Sequence, residues 1–358
     1  MAQGMAPVAV DAMGGDHAPG AVVQGAVDAA RKGRAVILVG PEERVRHELK
    51  RQHASSGLPL EVKHAAEVVE MGDHPGQAMR RKKENSIRVC FELVRSGRAS
   101  GMVSAGNSGA VMAGALFILG RSGAVARPAI LSVLPAAKGR PVLLDVGANV
   151  DCRPLHLVQF ALMGEVYSRR VLGVAQPRVV VLANGEEPAK GTAATRTAAA
   201  ALHRSPLRFQ GYCEGRDLLD GEVDVVVTDG FTGNVALKTM EGTARVLGVF
   251  MKEALRQSLP SQIGGVLAKS ALAAMRKRVD WREVGGALLV GVEGVAVIGH
   301  GASDARAVGN AIERAREAAR ADCVREIGEA AACAAELLDG DEIPRTTHGR
   351  RRGTPLPA

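Results

Sequence analysis

The stretch Val8–Gly20, VAVDAMGGDHAPG, decides the fold class of this 358-residue chain. It starts as a short apolar, β-branched run and continues with two acids, two adjacent glycines and a histidine before a helical pattern begins. A buried strand that ends in a glycine-containing turn and enters a helix is the repeating unit of α/β proteins. We therefore predict a strand at Val8–Val10 and a helix at Gly20–Lys32.

The same unit recurs along the chain, at a spacing typical of a largely parallel sheet with helices on both faces. The predicted strands are Val8–Val10, Ala35–Val39, Leu60–Lys63, Gly101–Ser104, Ala129–Leu134, Val142–Val146, Arg178–Leu182, Arg208–Gly211, Val223–Thr228 and Ala287–Val290. The predicted helices are Gly20–Lys32, Glu42–His53, 77–96, Ser108–Leu119, Pro154–Val171, Thr192–His203, Thr232–Leu255 and Asp304–Ala321. We expect one three-layer α/β catalytic unit over residues 1–338, with room for two lobes around a crevice, and a disordered basic tail over 339–358.

Composition excludes several classes of protein. Only 3% of the residues are aromatic, which argues against base stacking and hence against a nucleic-acid partner. The five cysteines form no CxxC pair and fit free thiols in a reducing cytoplasm. No secretory signal opens the chain, and the uncharged stretch Gly101–Gly120 is interrupted by polar residues and short for a membrane span. We expect a cytoplasmic protein, whose net charge of +8 favours an acidic partner.

Glycines and small polar residues follow most of these strands, and also the strand-like run VAVIG at 295–299. Substrates of such sheets bind beyond the carboxyl ends of the strands, so we expect these loops to converge on one crevice. In the loop 104–110, SAGNSGA, glycines let backbone N–H groups approach an anion at a helix N-terminus. Ser108 as a simple helix cap is the equally supported alternative.

Two further loops carry lysines. Asn234 and Lys238 lie four residues apart, so they share a helix face and can hold an oxyanion together. The alternative for Lys238 is an ordinary solvated helix lysine. Lys190 lies in NGEEPAKG, between a strand and a helix, where the alternative is a solvated loop.

The sequence predicts no metal and no cofactor. Neither a GxxxxGK[ST] loop nor a GxGxxG fingerprint is present. Five residues near the strand ends carry metal-binding side chains but show no metal-site spacing: Asp11, Asp16, His17, Asp145 and Asp151.

Two segments suit contact with other molecules. Arg80–Lys83 is a basic run, either a solvated helix face or a docking surface for an acidic macromolecule. The apolar segment 254–278, flanked by basic residues, fits an anionic membrane surface, a dimer contact or plain core burial.

Seven motifs in order, from about Val8 to about Ala321, closely resemble the bacterial phosphate acyltransferase family of phospholipid synthesis (the PlsX family). They are VDAMGGDHAPG, RRKKENS, VSAGNSGA, LDVGANVDC, NGEEPAKGT, VTDGFTGNVALKTMEG and the segment around GVAVIGHGASDARA. One departure is Ser108, where many members have threonine. The resemblance implies a fold similar to phosphotransacetylases and to isocitrate and isopropylmalate dehydrogenases, and a homodimer.

The resemblance also implies a reaction, in which inorganic phosphate and an acyl thioester on acyl carrier protein give acyl phosphate for a membrane-bound glycerol-3-phosphate acyltransferase. Some members associate peripherally with the membrane, at its cytoplasmic face. The alternatives are a phosphotransacylase that uses acyl-CoA, a non-catalytic carrier- or membrane-binding scaffold, and a metal- and NAD-dependent dehydrogenase, whose signatures are missing.

By motif position, the resemblance assigns four catalytic residues: Lys190, Asn234, Lys238 and His300. The substrate-binding set is Gly14, Gly15, Asp16, Ser104, Gly106, Asn107, Ser108, Asn149 and Gly233. In this set Asp16, like Asp11, is expected to order its loop rather than contact phosphate, because an acid repels that anion. The carrier-protein docking set is Arg80, Arg81, Lys82, Lys83, Arg276, Lys277 and Arg278.

Overall fold

The fold is seen in a computed structural model, which describes residues 5–54 and 56–339. The tail predicted for 339–358 lies outside the described residues apart from its first position. The strands are β1 Val8–Asp11, β2 Val36–Gly40, β3 Leu60–His64, β4 Gly101–Ser104, β5 Ala129–Val133, β6 Val142–Leu144, β7 Arg178–Leu182, β8 Arg208–Cys213, β9 Val225–Val227, β10 Ala287–Val290 and β11 Ala296–Ile298.

The helices are α1 Gly20–Arg31, α2 Glu42–Arg51, α3 Pro75–Arg81, α4 Ser86–Arg95, α5 Ser108–Gly114, α6 Pro154–Arg170, α7 Ala193–His203, α8 Gly230–Ala254, α9 Leu259–Leu267, α10 Lys269–Val279, α11 Trp281–Val284, α12 Ala305–Arg320 and α13 Cys323–Asp339. A π-helical turn, Ala115–Leu119, continues α5, and a 3₁₀ turn spans Gly215–Leu219. No helix within the described ranges is both long enough and apolar enough to cross a bilayer.

All the described strands form one sheet, in the order β3-β2-β1-β4-β11-β10-β5-β6-β9-β7-β8. Neighbours are parallel except at β11–β10, β10–β5 and β5–β6, which are antiparallel. As a result β1 to β4, β5 and β11 run in one direction, while β10 and β6 to β9 run in the other. The predicted largely parallel sheet is confirmed, with a reversal of direction near its middle.

Side chains of each strand alternate between two cores, as period-two geometry requires. Val8 and Val10 pack into the core under α1, α6, α12 and α13, whereas Ala9 packs into the core under α3, α4 and α5. Both faces of the sheet are thus covered by helices, and the predicted three-layer arrangement is confirmed.

Besides α9, α10, α11 and β11, which the list of predicted elements lacks, the structure differs from the prediction in two places that have a clear local cause. The predicted helix 77–96 is two helices, because Asn85 interrupts it: the side-chain Oδ1 accepts from Arg88 N–H at 2.8 Å and the Nδ2 donates to the carbonyl of Lys82 at 2.6 Å. Helix α13 was not predicted. It follows Asp322, whose positive φ of 50° separates it from α12 without the glycine that usually marks such a turn.

Candidate active site

The loops after β1, β4 and β11 meet at one edge of the sheet. Asp16 N–H donates to the carbonyl of Gly301 at 2.8 Å, and Gly299 N–H donates to the carbonyl of Ser104 at 2.8 Å. These backbone bonds join all three loops, so the structure brings together the first group of predicted site residues.

A buried carboxylate, Asp11, lies beneath these loops at 2% exposure. Its Oδ2 accepts from the hydroxyl of Ser104 at 2.7 Å, and the Ser104 Oγ accepts in turn from Gly106 N–H at 3.1 Å. Burial raises the pKa of Asp11, against the opposing effect of its hydrogen bonds. The predicted ordering role of Asp11 fits this geometry. Ser104 is 1% exposed and its hydroxyl is engaged by Asp11 and Gly106, so it positions the loop, and its contact with phosphate stays a prediction.

Gly14 has to be glycine for this packing. A Cβ at Gly14 would lie 2.6 Å from the nitrogen of Gly106 and 2.7 Å from Oδ2 of Asp11. Gly15 has φ of 101°, a backbone conformation that L side chains rarely adopt. These glycines therefore let two loops touch.

Asn107 is the N-cap of α5, so the alternative that Ser108 caps this helix is wrong. Its Oδ1 accepts from Ala110 N–H at 3.0 Å, while its Nδ2 donates to the carbonyls of Glu70, Met71 and Asp73 at 3.4, 3.1 and 3.0 Å. The predicted phosphate-binding amide is thus fully engaged within the fold. Asn107 instead ties the segment before α3 to the start of α5.

The groups that this edge leaves open to a ligand are backbone amides and a hydroxyl, and an exposed imidazole lies beside them. Ser108 and Gly109 N–H donate to no acceptor in the described part of the chain, and the Ser108 side chain is exposed at the first helical position. Exposed His300 accepts at Nδ1 from Ala302 N–H at 3.1 Å, so the neutral ring carries its hydrogen on Nε2. All can donate to an anion.

The loops after β6, β7 and β9 form a second group of predicted site residues. Within it, Asp145 is 0% exposed and follows β6 directly. Its carboxylate accepts five hydrogen bonds of 2.6–3.1 Å, from the N–H groups of Ile130, Gly147, Ala148 and Asn149 and from the Asn149 amide. Burial raises the pKa of Asp145, and these donors oppose the rise. The sequence analysis missed this organising role, although an acid directly before Gly-Ala-Asn at a strand end was its signal.

Asn149 also donates from Nδ2 to the carbonyl of Pro128 at 2.8 Å, and it is 7% exposed. Asn149 thus fixes the loop, and its contact with phosphate stays a prediction. Gly230 N–H donates to the Asn149 carbonyl at 2.7 Å, which docks the start of α8 here. A Cβ at Gly233 would overlap the carbonyl oxygen of Asp145, so Gly233 serves close packing rather than binding.

The predicted catalytic amide and lysines are exposed at this second group. Asn234 and Lys238 lie four residues apart in the continuous helix α8, which confirms that they share a face. Lys238 Nζ lies 2.8 Å from Oε2 of Glu241. Lys190 follows β7 in a loop held by Asn184, whose Oδ1 accepts from Gly191 N–H at 3.0 Å.

The two groups do not share one edge of the sheet. Because β6, β7 and β9 run opposite to β1, β4 and β11, their carboxyl ends lie at the opposite edge. Lys190, Asn234 and Lys238 therefore follow strands that run opposite to those before Ser108 and His300, and the convergence of all these loops on one crevice stays a prediction.

The residues of the basic run predicted for docking, Arg80–Lys83, differ in their contacts. Lys82 Nζ lies 2.5 Å from Asp73 Oδ2 and donates to the Val68 carbonyl, so it stabilises the fold. Arg80 is exposed and lies over the ring of exposed Phe117, 5.8 Å from its centroid. Arg81 and Lys83 are exposed beside it.

Helices α8 to α10 expose a large apolar surface. Helix α9 has no buried residue, so plain core burial of this segment is wrong. Its exposed apolar side chains recur at helical spacing: Leu259, Ile263, Val266 and Leu267. The predicted docking residues Arg276, Lys277 and Arg278 are exposed at the end of α10, where Arg278 also donates to the carbonyl of Ala137.

The cysteines nearest these loops are not activated as nucleophiles. Burial raises the pKa of Cys152 to about 12, with Asp145 and Asp229 acting in the same direction. Burial likewise raises the pKa of Cys213 to about 12 and that of Cys323 to about 11. A reactive thiol needs a lowered pKa.

Comparison with known proteins identifies the family. The family model described as "fatty acid synthesis protein" matches residues 6–326. Phosphate acyltransferases of an Anaeromyxobacter species and of Geobacter sulfurreducens are 71% and 50% identical to this chain, over 94% and 90% of it and 94% and 93% of their own lengths. The chain belongs to the phosphate acyltransferase family. The sequence resemblance is thereby confirmed, and the protein is an enzyme of that family.

Solved structures confirm the predicted fold. The phosphotransacetylase of Streptococcus pyogenes superimposes with a TM-score of 0.61 at 17% identity, covering 88% of this chain and 94% of that one. The EutD phosphotransacetylase of Staphylococcus aureus gives 0.55 at 16% identity, over 88% and 96%. At these identities the likeness concerns the fold alone, which this phosphate acyltransferase family member shares.

Proposed function

We propose that this enzyme transfers a long-chain acyl group from a thioester on acyl carrier protein to inorganic phosphate. The acyl phosphate then feeds glycerol-3-phosphate acylation in phospholipid synthesis. The chain belongs to the phosphate acyltransferase family, and the proposal rests on one observation about its structure. The loops at its strand ends present N–H, hydroxyl, imidazole and ammonium groups, all of which suit an anion.

The proposed reaction requires the enzyme to orient phosphate and thioester more than to activate a nucleophile. A phosphate oxygen attacks the thioester carbonyl, the carbon–sulfur bond breaks, and the leaving thiolate takes a proton. Phosphate is itself the nucleophile, which agrees with thiols whose pKa is raised. Ser108 and the free amides hold phosphate, and His300 Nε2–H positions it by a hydrogen bond. The proton that hydrogen phosphate loses on forming acyl phosphate goes to the leaving thiolate, while Asn234 with Lys238 stabilises the oxyanion.

A homodimer would unite the two groups of loops. The groups lie at opposite edges of one chain, and α8 exposes apolar side chains beside the second group, including Phe231 at 64% and Val235 at 50%. A second copy that covers this surface can bring its Ser108 loop to the partner's Asn234 and Lys238. We include this arrangement in the proposal.

Subunit complementation tests the shared site. Ser108→Ala with His300→Ala inactivates one group, and Lys238→Ala with Asn234→Ala inactivates the other. Refolding the two double variants together restores one complete site in each mixed dimer, so about a quarter of wild-type activity is expected if subunits mix at random. No recovery in a mixture shown to contain mixed dimers would refute the shared site.

Carrier protein and membrane are the proposed macromolecular partners. Arg80, Arg81 and Lys83 offer positive charge to an acidic carrier, next to the apolar ring of Phe117. Helix α9, with the basic end of α10, offers an apolar face with positive charge to the cytoplasmic surface of an anionic membrane.

The carrier-protein contact and the membrane contact are tested by separate measurements. Charge reversal at Arg80 and Arg81 is expected to raise KM for acyl carrier protein and leave kcat unchanged, whereas KM for acyl-CoA should hardly change. Ile263→Gln with Leu267→Gln is expected to abolish flotation with anionic vesicles while activity on soluble substrate persists. Unchanged KM, or unchanged flotation, would contradict the respective contact.

A further inference from the structure

Two exposed arginines flank the start of α6, at the same edge of the sheet as Asp145. Arg127 precedes β5, and Arg153 is the residue directly before α6. Both are exposed, and neither forms an ion pair in the part of the chain that the structure describes. Helix α6 has 17 residues, so its dipole adds positive potential at the same place.

The backbone on each side of Arg127 is hydrogen-bonded to a buried side-chain amide. Gln159, 2% exposed on α6, accepts from Ala126 N–H at 2.8 Å, and Asn149 donates to the carbonyl of Pro128 at 2.8 Å. The backbone on both sides of Arg127 is therefore fixed against α6 and the loop after β6. The exposed guanidinium extends from this fixed backbone, and its planar set of N–H donors suits a phosphate group.

His156 lies buried in the first turn of the same helix, at 1% exposure. Its Nδ1 accepts from Arg153 N–H at 3.1 Å, while Nε2 is buried without a partner among the described residues. Burial lowers the pKa of His156, and the charges of Arg127 and Arg153 lower it further. The neutral ring thus carries a hydrogen on Nε2 that lacks an acceptor, which in a native fold indicates a missing ligand or water.

Most of the carboxylates near the start of α6 already accept hydrogen bonds from the protein. Asp145 accepts five hydrogen bonds, and both oxygens of Asp229 accept from Thr232 at 2.8 Å. Asp151 is exposed. The charges that act on the His156 ring are those of Arg127 and Arg153, whereas Asp145 and Asp229 act on neighbouring Cys152, so the positive potential is local to the His156 ring.

We propose that Arg127, Arg153 and the N-terminus of α6 form a subsite for a phosphate group, with His156 Nε2–H beneath it as a donor, directly or through one water. The choice of ligand rests on the proposed function, which supplies two sources of this chemistry. One is inorganic phosphate, and the other is the phosphate of the carrier's pantetheine arm. Two guanidiniums and a helix N-terminus suit either.

Calorimetric titration of the full chain tests the subsite without turnover, with inorganic phosphate and 4′-phosphopantetheine as separate probes. Arg127→Gln and Arg153→Gln are compared with Arg44→Gln, the same change at an exposed residue of α2, and melting temperatures verify folding. Loss of a charge-assisted contact should weaken binding about tenfold or more.

Weaker binding of inorganic phosphate would assign inorganic phosphate to the subsite in addition to the Ser108 loop, and weaker binding of phosphopantetheine alone would assign the carrier arm. Unchanged affinity for both probes in both folded variants would overturn the proposal. The titration also separates this proposal from the proposed function. A wild-type protein that forms no acyl phosphate, yet binds a probe through Arg127 and Arg153, would refute the function and leave the subsite standing.

Discussion

At the scale of single residues, buried polar side chains shape the candidate site and exposed ones remain for chemistry. Asp11, Asp145, Asn107 and Asn149 are all buried and fully engaged by neighbouring loops. Sequence alone identified the loops, because glycine with small polar residues after a strand is a local pattern. It could not tell which polar side chain turns inward, since that depends on carbonyls such as those of Glu70 and Met71, far away in the chain.

Asp145→Asn is expected to lower the free energy of unfolding by about 3 kcal/mol, because a charge that accepts five hydrogen bonds is lost and an NH₂ group faces N–H donors. Urea unfolding measures this loss. Asp151→Asn, an exposed change in the same loop, should stay within about 0.5 kcal/mol of wild type. Equal stabilities of the two variants would show that Asp145 does not organise the loop.

Asn107 allows its two roles to be separated. Asn107→Asp keeps the oxygen that caps α5 but loses the donor to three carbonyls, whereas Asn107→Ala loses both. We expect both variants to be less stable than wild type. Asn107→Ala loses about 1 kcal/mol for the cap besides the tie, and Asn107→Asp keeps the cap but turns a carboxylate oxygen toward three carbonyls, which repel it. Wild-type stability of Asn107→Asp in urea unfolding would argue against the tie to the segment before α3.

At the scale of elements, local signals set most boundaries. Strands such as Gly101–Ser104 and Arg178–Leu182 were predicted to the residue, and β-branched runs between glycine loops explain this success. The reversal of sheet direction was not foreseen. It arises from the antiparallel pairing of β10 and β5 with their neighbours, which joins residues far apart in sequence.

Helix α8 contains two glycines, Gly233 and Gly242, whose replacement by alanine is expected to change stability in opposite directions. Gly233→Ala would drive a methyl group into the Asp145 carbonyl and displace the start of α8, so a loss of about 2 kcal/mol or more is expected. Gly242→Ala meets open space in the same helix and should raise stability by about 0.5–1 kcal/mol. Thermal and urea unfolding measure both changes. A stabilising Gly233→Ala would contradict the packing described here.

The link between α10, α11 and α12 predicts a dependence on pH. Arg282 holds the pKa of Asp280 below its ordinary value of 3.8 and also pairs with Asp304. Because the folded state favours the ionised carboxylate, its stabilisation is present above pH 3.8 and is lost as pH falls through the lowered pKa. Asp280→Asn should therefore lose stability at pH 7 and show a smaller further loss between pH 4 and pH 2. An unchanged acid profile would contradict this.

At the scale of the whole molecule, an eleven-stranded sheet carries two groups of anion-accepting loops at opposite edges. Neither group alone offers all the residues that the proposed reaction uses. In the proposed function, the exposed apolar surface of α8 and α9 pairs with a second copy and contacts a membrane. The net charge predicted an acidic partner, whereas the sheet directions are the reason for which we propose a dimer.

The central claim is tested most directly by trapping the product. Long-chain acyl carrier protein and inorganic phosphate are incubated with the enzyme, and hydroxylamine converts acyl phosphate to a hydroxamate. The account predicts hydroxamate that depends on both phosphate and enzyme, and that falls about tenfold or more in Lys238→Ala. Hydroxamate that forms equally without phosphate, or none at all from a folded wild-type protein, would contradict it.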